Sequence, residues 1–211
     1  MKKIAVFVLT FWFGMQPLWA QEEEPKTLFG DQFSLSHIGI MLDPGLQWTE
    51  IAGQNAGMFF FRGGLVFNDR LTVGGFYGQL INDIRPASFE NNLPQRAHLD
   101  SYQAGGFIEY TLFSSKLVHL TFPVSVGLME LEVDGEGRNW DYEETKTLFV
   151  EPRAHVEVNL HRFARLHAGL GYRMMGSPVQ QTPEIPEAGN SLTFQMGLKM
   201  GLFDLKELKK R

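Results

Sequence analysis

Apolar residues recur at every second position over most of the chain, and this period is the strongest constraint on its fold. Between Ser191 and Gly201, the even-numbered positions are apolar, whereas the odd-numbered positions carry polar residues or glycine. Four further segments alternate in the same way: 100–113, 117–129, 148–160 and 165–174. Because successive side chains of a β-strand point to opposite faces, the pattern predicts strands with one apolar and one polar face.

The connections between the strands predict how the strands are arranged. Less regular strands at about 37–50, 56–67 and 70–82 bring the total to eight, and most are longer than the five or six residues usual in soluble proteins. Short and long connections alternate along the chain, as in an up-and-down barrel whose ends face different compartments. The short ones are Asn68-Asp69, Ser114-Ser115-Lys116 and His161-Arg162, and the long ones are about 83–98, 131–146 and 176–190, with a modest connection at 52–55. We therefore expect an all-β fold, an eight-stranded antiparallel up-and-down transmembrane β-barrel.

The N-terminal residues predict export from the cytoplasm. Lys2 and Lys3 precede an apolar run of about a dozen residues, and Ala20 then stands before a polar segment, as in a signal peptide that is cleaved after Ala20. This reading divides the chain into a signal peptide at 1–20, a flexible periplasmic leader at 21–34, the barrel at 35–203 and a basic tail at 204–211. The chain contains no cysteine, which excludes a disulfide scaffold and a cysteine nucleophile, and its net charge of -5 argues against nucleic acid as a partner.

Alternation alone leaves open whether the apolar face meets lipid or a ligand inside a secreted lipocalin-like barrel. The polar face carries many glycines, and lysine is scarce there apart from Lys199. A water-exposed strand surface gains nothing from glycine, whereas a narrow lumen filled by side chains needs small residues beside large ones. The strands also match the roughly 9–11 tilted residues that cross a bilayer, and aromatic residues lie near their ends. These features favour the transmembrane interpretation.

Three stretches carry a resemblance to a known family. They are the sequence from Gly57 to Gly64, the glycine-rich strand from Val73 to Gly78, and the segment that leads from Glu151-Pro152 to Gly171-Tyr172-Arg173. The chain resembles the small bacterial outer-membrane β-barrel proteins, OmpA/OmpX-like or porin-like, especially those of Bacteroidetes, over about residues 35–203. The resemblance implies a barrel in the outer membrane of a Gram-negative cell. One departure is the continuation past Phe203, because many proteobacterial barrels end on an aromatic residue.

Charged residues on the polar faces would share one lumen if the barrel closes. Because charges removed from water persist only when paired, we expect a structural ion-pair network. A proton-linked gate, or a hydrolytic site built from a histidine and a glutamate, is the sharper alternative, but no serine stands in a constrained turn. No HExxH or similar spacing indicates a metal, so we expect neither catalytic residues nor a cofactor. The expected lumenal network contains Arg62, Glu109, Glu151, Arg153, His155, Glu157, His167, Arg173 and Lys199.

The sequence therefore predicts an outer-membrane protein with a structural or surface-interaction role and no large pore, because eight strands leave no wide channel. The expected partners are outer-membrane lipids, lipopolysaccharide, the barrel-assembly machinery and an extracellular ligand at loops 83–98, 131–146 and 176–190. The acidic loop 131–146 is read as a solvated surface that could meet lipopolysaccharide through divalent cations. Two alternatives remain open: a soluble periplasmic lipocalin-like barrel that binds a hydrophobic ligand, and a small outer-membrane enzyme that modifies lipid.

Overall fold

The computed structural model describes residues 38–87, 89, 97–135, 144–181, 185 and 188–203. The predicted signal peptide at 1–20, the leader at 21–34 and the tail at 204–211 lie outside these residues. Within the described part, no helix has the length and apolar character needed to span a bilayer.

Eight antiparallel strands form a closed barrel in which each strand pairs with its neighbours in sequence and β1 pairs with β8, so the predicted fold class is confirmed. Two strands extend well into segments predicted as long loops, because β5 ends at Gly135 and β7 at Gln180. The strands are β1 (Ile38–Ile51), β2 (Gln54–Phe67), β3 (Leu71–Leu80), β4 (Ala97–Leu112), β5 (Val118–Gly135), β6 (Thr145–His161), β7 (Ala164–Gln180) and β8 (Ser191–Leu202).

Two tight turns show how the sequence closes hairpins at opposite ends of the barrel. Asn68 and Asp69 have φ values of 51° and 56°, and the N–H of Arg70 donates to the Phe67 carbonyl at 3.0 Å. Ala52 and Gly53, with φ values of 51° and 76°, form the turn between β1 and β2. Two successive residues with positive φ give a turn whose twist matches that of the flanking strands. These turns fix the register of the first three strands.

Strand β5 shows that the polarity of the two faces inverts along the barrel. Near the short turns its outward side chains are apolar, from Leu120 to Leu128, whereas its inward ones are polar, from His119 to Ser125. Nearer the long loops the outward residues are Glu130, Glu132 and Asp134, and the inward ones are Met129, Leu131 and Val133. The barrel is therefore apolar outside and polar inside over the stretch near the short turns, which we call the inside-out stretch. Nearer the long loops it is polar outside and apolar inside, as in a soluble protein.

Large apolar side chains cover the outer face of every strand in the inside-out stretch. Aromatic residues border this belt. The ring centroids of Tyr77 and Tyr102 lie 6.5 Å apart at its edge on the long-loop side. Phe113 is 57% exposed in the turn at the opposite edge. Phe203 lies at a strand end, and this position suggested another border residue. It is instead buried, and its ring centroid lies 3.5 Å from the Arg165 guanidinium carbon. That position contributes to the interior rather than to the outer belt.

Glycines on the inner face allow large side chains to fill a narrow interior. Gly105 and Gly127 are paired across β4 and β5, and a Cβ atom at Gly105 would lie 2.2 Å from the Val126 carbonyl oxygen. A Cβ atom at Gly127 would lie 2.9 Å from the ring of Phe76. The two glycines therefore leave the space that this inward ring occupies, as a filled eight-stranded barrel requires.

Candidate functional site

Buried charged side chains fill the interior from the short turns to about the middle of the strands, and we call this part the lower lumen. Four carboxylates lie within it, those of Asp43, Glu109, Glu151 and Glu157. The structure places all nine side chains expected in the lumen inside the barrel, each no more than 8% exposed: Arg62, Glu109, Glu151, Arg153, His155, Glu157, His167, Arg173 and Lys199.

Lys199 joins two carboxylates near the short turns. Its ammonium donates to Glu109 Oε1 and to Glu157 Oε2, both at 2.5 Å. Glu157 Oε1 also accepts from Arg165 Nη1 at 3.3 Å and lies 2.8 Å from His119 Nε2. Because these five side chains come from β4, β5, β6, β7 and β8, the group ties opposite walls of the barrel together.

Arg62 organises the next group. Its Nε donates to Asp43 Oδ2 at 2.8 Å, its Nη2 donates to the same oxygen, and its Nη1 donates to Glu109 Oε2 at 3.3 Å. Asp43 Oδ1 lies 2.8 Å from His167 Nε2, so both of its oxygens are engaged. The Arg62 guanidinium carbon also lies 5.3 Å from the Phe107 ring centroid, a cation–π arrangement. Glu109 connects this group to the Lys199 group.

Glu151 forms the centre of a third group, about halfway along the strands. It accepts hydrogen bonds from four side chains: Arg153 Nη1 at 3.2 Å, Arg173 Nε at 2.9 Å, Thr193 Oγ1 at 2.9 Å and Gln47 Nε2 at 2.9 Å. Gln103 extends the group, because its amide accepts from Arg173 at 3.0 Å and donates to Gln47 at 3.1 Å. These donors satisfy the hydrogen-bonding capacity of a carboxylate that is almost fully removed from solvent.

His155 lies beside these groups but makes no hydrogen bond within the described residues. It is 1% exposed, and neither ring nitrogen has a partner. Its ring stacks on that of His167, with centroids 4.9 Å apart and planes 13° apart. The free nitrogen of His167, Nδ1, likewise faces no hydrogen-bond partner. A histidine acting as a general base is hydrogen-bonded to the group that it deprotonates, and no described side chain makes such a bond to these nitrogens.

An apolar cluster fills the interior at the long-loop end, and we call it the upper cluster. Residues from the ends of the strands meet residues from the long connections there, including Ile84, Phe89 and Ile185. Its strand residues include Met58, Leu99, Met129, Leu131 and Phe149. The interior is therefore mainly ionic below, with a small apolar cluster of Met41, Val66, Phe107 and Phe203 towards the short turns, and apolar above. The described parts of two long loops are anchored to its upper part.

Sequence reasoning missed two charged residues, Asp43 and Arg165, and the upper cluster of this interior. Asp43 was not among the expected lumenal residues, because Asp43-Pro44-Gly45 has the composition of a turn, although its position on β1 matches the inward parity of Gln47. The upper cluster was also missed. Its signal was present, since Met129 and Leu131 continue the same parity as His119.

A separate charged group lies on the outer surface of the barrel, above the apolar belt. Carboxylate oxygens of Glu130, Glu132 and Glu144 lie within 4.8 Å of one another, the one grouping of this kind among the described residues. Lys146 lies among them, 2.6 Å from Glu144 and 3.3 Å from Glu130, and the hydrogen bond to Glu144 raises the pKa of its ammonium. Partial burial and the Asp100 carboxylate raise the pKa of Glu132. A lysine already supplies the positive charge that a metal ion would bring.

Comparisons with known proteins place the fold among solved barrels. No family model matches the chain, and no curated protein matches its sequence. The crystal structure of Neisserial surface protein A is similar with a TM-score of 0.58 and 14% identity, over 77% of this chain and 96% of that one. A major outer membrane protein from Thermus thermophilus is similar with a TM-score of 0.50 and 12% identity, over 78% of this chain and 99% of that one.

These similarities extend over nearly the full length of both solved barrels at low sequence identity, so they report architecture and carry no residue roles. The closed eight-stranded barrel, its apolar outer belt and these similarities agree with the resemblance found in the sequence. The chain has the fold of the small outer-membrane β-barrel proteins.

Proposed function

We propose that this chain is an integral protein of a bacterial outer membrane with a structural or surface-interaction role. The observation that carries the proposal is the inversion of polarity along β5, where the outer face changes from apolar to acidic between Leu128 and Glu130. A lipid-exposed sheet must close into a barrel and present apolar side chains, because no water is available to the backbone or to charges. The segment from Leu120 to Leu128 matches the roughly 9–11 tilted residues of a spanning strand.

The interior supports a closed lumen rather than a pore. The three ionic groups connect side chains from every strand except β3, and the upper cluster fills the long-loop end above them. Eight strands enclose only enough space for side chains. We therefore propose that the barrel passes no solutes in bulk and that its function resides at its surfaces.

The loop ends of the barrel support an interaction at the cell surface. Ile84, Phe89 and Ile185 are each 2% exposed or less and belong to the upper cluster, so parts of loops 83–98 and 176–190 are fixed to the barrel. Loops that start from a rigid base present a binding surface at a lower entropic cost than free loops. We propose these loops, with loop 131–146, as the surface that meets an extracellular ligand.

The two alternatives receive less support. A lipocalin-like carrier needs an apolar cavity and a polar exterior, whereas the belt of this barrel is apolar outside and ionic inside. A lipid-modifying enzyme needs an accessible nucleophile, whereas His155 and His167 are buried and their free nitrogens make no hydrogen bond in the described part of the chain. Neither arrangement supports a second proposal.

Two arginine substitutions on one face of β5 test the membrane assignment. Val124→Arg places a charge in the belt and costs about 2–4 kcal/mol in a bilayer, whereas Glu132→Arg lies above the belt and meets water. Outer membranes from a Gram-negative host are run on a gel with and without boiling. We expect the wild type and Glu132→Arg to show a heat-dependent shift that Val124→Arg lacks. A soluble wild-type protein without such a shift would refute the proposal.

A further inference from the structure

A groove crosses the outer face of the barrel at the upper edge of the apolar belt. Gly57 forms its floor, because this glycine pairs directly with Trp48 on β1, and its carbonyl accepts from the Ile81 N–H at 2.9 Å. Trp48 and Ile81 are 43% and 61% exposed and form the two walls. The cavity has a volume of about 500 Å³. Gly57 has no side chain to fill the space between these two walls.

Contacts outside the groove hold its walls apart. The Trp48 ring packs against Phe194 on β8, on the side away from Gly57, with ring centroids 5.7 Å apart. On the other side, Asn82 fixes the end of β3. Its Oδ1 accepts from the Gly57 N–H at 2.6 Å, and its Nδ2 donates to the Asn55 carbonyl at 3.2 Å. The groove is thus part of the folded barrel rather than a gap between mobile side chains.

The lining of the groove changes from apolar to amide along its length. Trp48, Gly57 and Ile81 line its belt side, whereas Asn55 and Asn82 line its rim, and both asparagines are exposed. An amide supplies both a donor and an acceptor but no charge. A tryptophan at this height is typical of the boundary between acyl chains and headgroups. A ligand that fits has an apolar chain whose first atoms carry hydrogen-bonding groups.

We propose that the groove seats one acyl chain of the lipid anchor of lipopolysaccharide. The inference rests on the proposed membrane location, in which the groove faces the outer leaflet because it lies on the long-loop side. The apolar segment of the chain lies over Gly57 between Trp48 and Ile81. The amide link and hydroxyl group at the root of such a chain pair with the amides of Asn55 and Asn82. The groove continues the apolar belt, so a lipid is the molecule that covers it.

Filling the groove tests the proposal and requires only a small shift of the Asn82 side chain. A Cβ atom at Gly57 would lie 3.3 Å from Asn82 Oδ1 and 3.6 Å from Ile81, so Gly57→Leu directs its side chain into the groove. Gly75→Leu is the matched control, because Gly75 also faces outward and the nearest atom to its Cβ position is 3.5 Å away. Ile81→Ala, which removes a wall at an exposed position, is a second variant that does not depend on tolerance at Gly57.

Binding is measured on the refolded barrel in detergent micelles. Trp140→Phe leaves Trp48 as the one tryptophan beyond the predicted signal peptide, so its fluorescence reports on the groove. Lipid A is titrated, and lipid retained after detergent exchange is counted by native mass spectrometry. We expect saturation at one lipid A per barrel, about tenfold weaker binding for Gly57→Leu and Ile81→Ala, and no change for Gly75→Leu.

Three results would overturn the proposal: no saturable binding to the wild type, equal binding by all variants, or equal binding of phosphatidylglycerol and lipid A by the wild type. The gel assay separates this failure from failure of the membrane assignment. A heat-modifiable barrel that binds no lipid A contradicts the groove alone. A protein without a heat-dependent shift contradicts the proposed location as well.

Discussion

The replacement Lys199→Met is the most direct test of whether the buried charges stabilise the barrel. Lys199 donates two charge-assisted hydrogen bonds of 2.5 Å, one to Glu109 and one to Glu157, and is 2% exposed. Methionine keeps most of the length of the side chain but leaves both carboxylates without this cation. Each lost bond is worth about 1.5–3 kcal/mol. Arg62 and Arg165 still contact the two carboxylates at 3.3 Å, which limits the loss. We expect the free energy of unfolding to fall by about 3–5 kcal/mol.

The assay is urea unfolding of the barrel refolded in lipid vesicles, followed by tryptophan fluorescence and by gel mobility. Lys146→Met is the matched control, because Lys146 also bridges two glutamates, at 2.6 Å and 3.3 Å, but on the outer surface. Solvent screens exposed ion pairs, so we expect its unfolding midpoint to stay close to that of the wild type. The comparison tests whether the loss in the free energy of unfolding comes from the burial of the ion pairs or from their number.

A double variant tests the cause of the loss. Lys199→Met combined with Glu109→Gln removes one stranded charge, while Arg62 keeps Asp43 as a partner. We expect the double variant to be more stable than Lys199→Met alone, because a neutral amide costs less to bury than a carboxylate that has lost one of its two cations. If Lys199→Met unfolds within about 1 kcal/mol of the wild type, below the loss expected for even one charge-assisted bond, or if the second substitution makes the barrel still weaker, the reasoning is refuted.

Three further predictions concern single positions. His155→Phe should be neutral or stabilising in urea unfolding, because neither ring nitrogen has a hydrogen-bond partner among the described residues. His167→Phe should cost about 1–3 kcal/mol, because it leaves Asp43 Oδ1 without this partner while Arg62 holds the other oxygen. Gly169→Ala should lower the refolding yield on gels, since its Cβ would lie 2.1 Å from a carbonyl oxygen, while Gly75→Ala should not. The raised pKa of Glu132 means that the folded barrel holds this proton more tightly than the unfolded chain; its contribution to stability is present at acidic pH and is lost as pH rises. Glu132→Gln should therefore raise the unfolding midpoint at neutral pH and flatten its pH dependence.

The sequence alone predicts the strands and their faces but not which side chains meet. Period-two alternation assigns Lys199 to the inner face because its neighbours Leu198 and Met200 belong to the apolar one. That Lys199 bonds to Glu109, 90 positions away, depends on how far each strand is staggered against the next. Alternation is unchanged by a shift of two residues, so it carries no information about this stagger. Contacts across the lumen therefore become visible only in the structure.

The ends of the strands were underestimated for a related physical reason. The acidic residues Glu132 and Asp134 made the segment from 131 onward read as a loop, whereas β5 continues to Gly135. They alternate with Leu131 and Val133, which point into the upper cluster. The period is unbroken, but the face that carries the charges has changed. The period of two, taken without regard to which face is polar, predicts the full length of β5.

The inversion of polarity also explains why the charges occupy the lower lumen and not the upper one. In the proposed membrane location, lipid and an apolar interior would accept the same side chains within the belt, so hydrophobicity alone could not decide which face of a strand points inward. Buried charges supply that decision. A shift of one residue in the register of β6 would turn Glu151, Arg153 and Glu157 towards lipid, where each exposed charge costs several kcal/mol of free energy. Above the belt the outer face meets water, and an apolar interior is enough to fix the register. The ionic groups therefore lie within the belt, where the surroundings of the barrel do not determine which face of a strand points outward. The upper cluster begins above the belt, where contact with water on the outside determines it.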